Sequence, residues 1–169
     1  FVLLYCIALP HIAHARTFNV ATGTGFFVSK LGHIITNEHV VRGCKRVRIR
    51  GAVKPSVADV IASDADIDLA LLKADIIPPR FSPIRSYGEK ISAGDGVLVM
   101  GYPGKHSKSG KYKIVESEVM DVKGPMGHDK WIQFEDAAQE GNSGGPLLDL
   151  SGNVVGVVVG KTVLTRRNL

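Results

Sequence analysis

A chain of 169 residues, 44% apolar and 22% charged, is long enough to bury a core as one domain or as two small lobes packed together, and this composition is a poor fit to a disordered tail. No uninterrupted apolar run reaches the roughly 18 to 20 residues of a membrane-spanning helix, so no stable membrane insertion of the folded domain is expected. The formal charge of +5 invites an acidic partner, but its densest run alternates Arg46, Arg48 and Arg50 with Val47 and Ile49, the pattern of a half-buried strand with a solvated face; no aromatic residue interleaves to stack bases, so nucleic acid is not expected.

In chain order, FVLLYCIALP is apolar enough for the central region of a signal peptide, and Ala13-His14-Ala15 supplies an A-x-A cleavage site. Residues 1–15 are therefore read as a signal peptide or anchor remnant and the mature protein as exported, periplasmic or extracellular; the alternative is an N-terminal strand packed on the fold. Cleavage after Ala15 would separate Cys6 from Cys44, the two cysteines present, so Cys44 is expected to be a buried free thiol. No CxxC spacing supports zinc or redox chemistry, and neither a metal nor a cofactor is expected.

Short runs rich in β-branched residues follow: 25–29, 33–36, 46–50, 57–62, 69–73, 97–101, 113–119, 131–134 and 153–160. Turn signals such as SKLG, AGDG and GYPG separate them, and no stretch holds a 3.6-residue apolar period over three turns. The fold class is all-β, a sandwich or barrel. Pro78-Pro79 and the polar residues up to Gly88 are the best candidate for a linker, dividing the chain into halves of 16–90 and 91–169.

The stretch Gln139–Asp149, QEGNSGGPLLD, sets one serine among three glycines ahead of an apolar run. Its GNSGG fits the G-x-S-x-G elbow of α/β-hydrolases, but that fold requires a histidine after the serine, and all six histidines (His11, His14, His33, His39, His106, His128) precede Ser143. The subtilisin order fails as well, because the first aspartate is Asp59 and only the polar, loop-like His106 and His128 follow it at a distance. The order His, Asp, Ser remains.

GTGFFVSKLGHIITNEHVV (23–41), DIDLALLK (66–73) and DAAQEGNSGGPLLDLSGNVVGVV (136–158) together resemble HtrA/Deg-like serine proteases of the trypsin type, a family of bacterial peptidases. The likeness spans nearly all of residues 20–160. It implies two perpendicular antiparallel β-barrels of the chymotrypsin type with the active site in their cleft. His39, within T-N-x-H-V-V, takes the place of the general base; Asp68, directly before LALLK and preferred over Asp66, orients it; Ser143 is the nucleophile. The resemblance also makes the amides of Gly141 and Ser143 the oxyanion donors, with the run PLLD re-entering the core as a strand.

The implied activity is serine endopeptidase acting on polypeptides through an acyl-enzyme, in protein quality control or processing. Trypsin keeps an aspartate six residues before its nucleophile; Ala137 stands here, which favours a small or medium apolar residue before the cleaved bond over Arg or Lys. The strand around Val157, Val158 and Val159 would hold the peptide by edge pairing. Val40 replaces the disulfide cysteine that follows the histidine in animal digestive enzymes, which points to a bacterial-type lineage. Family members continue further beyond GVVVGK, so the second barrel is expected to be incomplete, and a catalytically impaired peptide-binding remnant is the alternative function. A homo-oligomer is left open.

Overall fold

The computed structural model describes residues 1–8, 19–86, 90–104, 111–124, 130–135, 139 and 141–159. Strands β1 (Val2–Ala8), β2 (Asn19–Phe27), β3 (His33–Thr36), β4 (Arg46–Gly51), β5 (Ser56–Asp64) and β6 (Leu69–Ala74) close into a barrel in the order β1-β2-β3-β6-β5-β4. Between β3 and β4 lies one helical turn, α1 (Glu38–Val41). Strands β7 (Gly96–Gly101), β8 (Lys113–Asp121), β9 (Gln133–Phe134), β10 (Pro146–Asp149) and β11 (Val154–Val157) form a second, five-stranded curled sheet, ordered β11-β10-β7-β8-β9. The all-β expectation holds, with a closed first barrel and a half-barrel second.

Alternation explains the first barrel. In β4, Val47 and Ile49 are buried while Arg46 and Arg48 face water, and Arg46 pairs with Asp59 on the facing position of β5. Leu72 and Ala74 of β6, Ile34 of β3 and Val2 and Leu4 of β1 complete the interior. A slipped register would turn this whole set to solvent, so the period-two pattern fixes the pairing.

The apolar stretch read as a leader or anchor remnant is, over Val2–Ala8, the strand that closes this barrel. It pairs with β2 from Val2↔Gly25 to Ala8↔Asn19 and with β4 from Val2↔Gly51 to Tyr5↔Arg48. An apolar seven-residue run suits a core strand as well as a leader, and composition alone does not separate them. The cleavage motif at 13–15 lies outside the described residues. The free Cys44 thiol is overturned: β1 brings Cys6 to the segment after α1, where the two cysteines form a disulfide with Cα atoms 6.0 Å apart. No helix of the described residues is long and apolar enough to cross a membrane.

The halves join through a shared apolar layer. Phe26 of β2 meets Met100, Leu148 and Val154 of the second sheet, and fully burying a phenylalanine contributes about 1.5–3 kcal/mol. The proline-rich connection is bonded to both halves, from Ser82 N–H to the Phe27 carbonyl and from Arg85 N–H to the Val154 carbonyl. Tyr102, just past β7, is completely buried and donates its hydroxyl to the Phe1 carbonyl.

Candidate active site

His39 sits on α1, a turn too short to be stable by itself. Val40 and Val41, each 2% exposed, anchor it in the barrel core, and Gly23 of β2 makes room for it: a Cβ there would lie 2.7 Å from Val40 Cγ1. Glu38 and Arg42, four residues apart, form a forked pair of 2.6–3.1 Å that braces the same turn. The Arg42 hydrogen bonds hold the Glu38 carboxyl below the ordinary carboxylate range, against a smaller opposing effect of burial.

Asp68 reaches this turn from the other side. It directly precedes β6 at φ 51°, the one non-glycine residue in the left-handed region among the described residues. Aspartate tolerates that conformation better than most residues, yet it must be held there. Asn37 Nδ2 and Glu38 N donate to the Asp68 carbonyl at 2.9 and 3.2 Å, while the His39 amide donates to Oδ1 at 2.9 Å. The remaining oxygen, Oδ2, lies 2.7 Å from His39 Nδ1. Since a carboxylate only accepts, Nδ1 carries the proton, and it is the neutral ring so held whose Nε2 presents a lone pair. Asp64 caps the preceding turn through the amides of Asp66 and Ile67, and Asp66 is exposed. Of the alternating aspartates it is Asp68 that meets His39.

Ser143 sits in a turn that the second half contributes and the first half holds. Its carbonyl accepts from Thr24 N of β2 at 2.9 Å, and Thr24 Oγ1 donates to the Gly141 carbonyl at 2.7 Å. Gly141 and Gly144 have φ of 95° and 82°, angles that a side chain would strain. At Gly144 a Cβ would collide with Thr36 Oγ1 and the Thr24 carbonyl and lie 3.0 Å from Asn37 N. The serine turn is therefore packed against Thr36-Asn37, the two residues leading into α1 and His39. The Ser143 hydroxyl itself donates to the Val159 carbonyl at 3.3 Å; among the described residues it makes no hydrogen bond to His39.

The other residues singled out from sequence are less uniform. Val158 is core, 1% exposed, and spends its N–H on Gly145 O and its carbonyl on Gly144 N, both at 2.8 Å. Val157, at the end of β11, pairs with Pro146. Ala137, His106 and His128 lie outside the described residues. Thr24 and Asn37 were not singled out from sequence, although they stand inside the GTG and TNEH motifs; a small polar residue carries no local sign of a partner 117 or 31 positions away. Among the described residues no three of His, Cys, Asp and Glu gather in a way that could hold a metal ion.

Comparison with known proteins matches this fold. Residues 23–157 fit the family model described as a trypsin-like peptidase domain. The chain is 34% identical over 155 residues to serine protease Rv3671c of Mycobacterium tuberculosis, covering 88% of this chain and 38% of that one. It is also 34% identical over 151 residues to a Brucella suis protein named "Probable periplasmic serine endoprotease DegP-like", covering 88% and 29%. Among solved structures, the active form of the Rv3671c protease superposes with a TM-score of 0.72 at 29% identity, covering 96% of this chain and 70% of that one. The serine endoprotease of Yersinia pestis gives 0.69 at 26% identity, covering 94% and 52%. The chain thus spans well under half the length of the curated relatives it matches. With a closed barrel and a curled half-barrel carrying the histidine, aspartate and glycine-serine turn in that order, and with a family model covering most of its length, the chain belongs to the trypsin-like peptidases, homologous to the DegP/HtrA-like serine proteases.

Proposed function

We propose that this chain is the catalytic domain of an exported serine endopeptidase, in which Ser143 attacks a peptide carbonyl, His39 is the general base and Asp68 orients it. The observation that carries the reading is the convergence on α1: Asp68 is bonded to His39, and the Ser143 turn is docked on Thr36-Asn37 directly ahead of it. For attack, the Ser143 hydroxyl leaves the Val159 carbonyl by rotation about χ1, a picosecond-to-nanosecond motion, and gives its proton to His39 Nε2 as the Oγ–C bond forms. Asp68 stabilises the imidazolium without becoming protonated.

The carbonyl oxygen, now an oxyanion, is met by the amides of Gly141 and Ser143; loss of one such donor costs about 3–4 kcal/mol in a known case. His39 then protonates the departing amine, the C–N bond breaks, and water repeats the sequence on the acyl-enzyme. The substrate strand would run along the outer edge near Val157 and Val159, through main-chain groups other than those Val158 uses internally. A small or medium apolar residue is expected before the cleaved bond, with Ala137 at the foot of its pocket. The Cys6–Cys44 disulfide supports an oxidising compartment and hence export, where processing or quality control of polypeptides is the proposed task.

Labelling with a fluorophosphonate tests the reading. The wild-type chain labels and Ser143→Ala does not, while His39→Ala falls by about a million-fold in turnover. A chain that stays unlabelled yet binds peptides is the impaired remnant, the reading favoured by the Ser143–Val159 hydrogen bond if that contact is permanent.

A further inference from the structure

We propose that Thr24 is a positioning residue for the reaction, a hydroxyl from the first barrel that sets the peptide plane beside the oxyanion donors in the second. The inference rests on the roles proposed above for Ser143 and for the Gly141 and Ser143 amides.

Thr24 is completely buried, and its hydroxyl and amide are both spent on the second half while its carbonyl is bonded within the first barrel. Its hydroxyl donates to the Gly141 carbonyl at 2.7 Å and accepts from Tyr102 N at 3.1 Å. Its amide donates to the Ser143 carbonyl at 2.9 Å, and its carbonyl accepts from Thr36 Oγ1 at 2.8 Å. The chain Thr36–Thr24–Gly141 therefore joins the end of β3, just ahead of His39, to the start of the serine turn.

Three consecutive peptide planes shape that turn. The plane 142–143, which bears the Ser143 N–H, is held through its own carbonyl, because Asn142 O accepts from Gly145 N at 2.8 Å. The plane 143–144 is held by the Thr24 amide. The plane 141–142 begins at Gly141, where φ is 95° and no Cβ resists rotation. Its carbonyl is held by the Thr24 hydroxyl, and its N–H bonds to Gln139 O at 2.9 Å. Without the hydroxyl, the Gly141 carbonyl loses its donor and Tyr102 N its acceptor, and a buried polar group left unpaired drives the chain to rearrange. The softest response is rotation about Gly141, which re-aims its amide.

β-Branching makes threonine better suited than serine, since it restricts χ1 and holds the hydroxyl in place. The Thr24 methyl meanwhile lies against Gly145, 3.3 Å from where a Cβ would stand.

The test compares wild type, Thr24→Val and Thr24→Ser on a peptide amide substrate, with kcat expressed per Ser143 titrated by an active-site reagent. Thr24→Val keeps the shape and removes the hydroxyl. Its kcat per titrated site is expected to fall roughly 10- to 100-fold with KM within about twofold, and affinity for a peptide boronate to fall in parallel. Thr24→Ser is expected to recover most of the loss. Unchanged kcat per titrated site in Thr24→Val, with only a lower unfolding temperature, overturns the proposal, as does a Thr24→Ser variant as impaired as Thr24→Val. If Thr24→Val does not fold, Thr36→Val decides: a several-fold loss of kcat at constant KM supports the relay, and no loss ends it. A wild type without Ser143-dependent turnover removes the functional reading and this inference together, whereas an active wild type indifferent to Thr24 removes this inference alone.

Discussion

His39 gives Asp68 two hydrogen bonds, one from its ring at 2.7 Å to Oδ2 and one from its own amide at 2.9 Å to Oδ1. Both carboxylate oxygens are thus committed to a single residue, and the ring has little freedom to swing or to change tautomer. An asparagine has one acceptor oxygen for these two donors and would turn its NH₂ group toward one of them. Asp68→Asn is therefore expected to lose about 10⁴-fold in turnover with little change in stability, because the ring adopts the wrong tautomer. Peptide hydrolysis and thermal unfolding measured on the same sample check this; a loss below tenfold would exclude the orienting role.

Two glycines with nearly the same backbone angle should respond differently to a methyl group. Gly144 and Gly152 have φ of 82° and 87°, but a Cβ at Gly144 collides with Thr36 and Thr24 whereas one at Gly152 meets nothing within 4 Å. Gly152→Ala is expected to cost about 1 kcal/mol, from backbone strain alone. Gly144→Ala must also push the serine turn off the first barrel, so it is expected to cost at least twice as much and to abolish labelling of Ser143. Urea unfolding of the two variants makes the comparison.

The Cys6–Cys44 bridge closes a loop with a sequence separation of 38 and ties β1 to the segment behind α1. Cross-linking restricts the unfolded chain, and a loop of that size corresponds to about 4 kcal/mol on the chain-entropy account, with 2–4 kcal/mol typical of measurement. The Cys6→Ser/Cys44→Ser double variant should unfold at correspondingly lower urea, and dithiothreitol should shift the wild type to match it. Equal midpoints would mean the bridge adds nothing.

Acid sensitivity has identifiable sources. Hydrogen bonds from Arg42 hold the Glu38 carboxyl below its ordinary value. At Asp149, burial pushes upward but is outweighed by the Asn153 and Ser151 hydrogen bonds and by Arg85, so that carboxyl too is lowered. A carboxyl depressed in the folded state adds stability that is fully present above its unfolded value, near 4, and is lost as pH falls through the folded value. Unfolding free energy should therefore decline below about pH 4, and Glu38→Gln and Asp149→Asn should each flatten that decline. For Glu38 the effect should shrink in high salt, because Arg42 is largely exposed. A wild-type profile that the substitutions leave unaltered would assign the acid loss to other groups.

Much of this could be read from the chain alone. The alternation of β4 showed which of its residues face the core, and the runs at 33–36 and 69–73 match β3 and β6 nearly residue for residue. At the site, the pairing of His39 with Asp68 is what the resemblance of TNEHVV and DIDLALLK to the family implies, and the two side chains do meet. Strand β1 was ambiguous because its apolar run fits two environments equally, and the disulfide was hidden behind that ambiguity. Strand β2 begins at Asn19, six residues before the apolar run that signalled it, because Gly23 and Gly25 weaken strand propensity while serving close approach to Val40, Ser143 and Ile34. Thr24 left no signal: its partner Gly141 is 117 positions away, and no local period encodes such a pairing.

The turn that carries Ser143 borrows its shape from Thr24 and Thr36, which are synthesised long before it. Contacts so far apart in the chain form late, after the loop between them has closed. A molecule in which only the first barrel has folded would therefore hold the histidine–aspartate pair with no serine turn facing it. On the proposed roles, cutting power would arrive in one step, when the second sheet docks, so a half-folded molecule would be harmless to its neighbours.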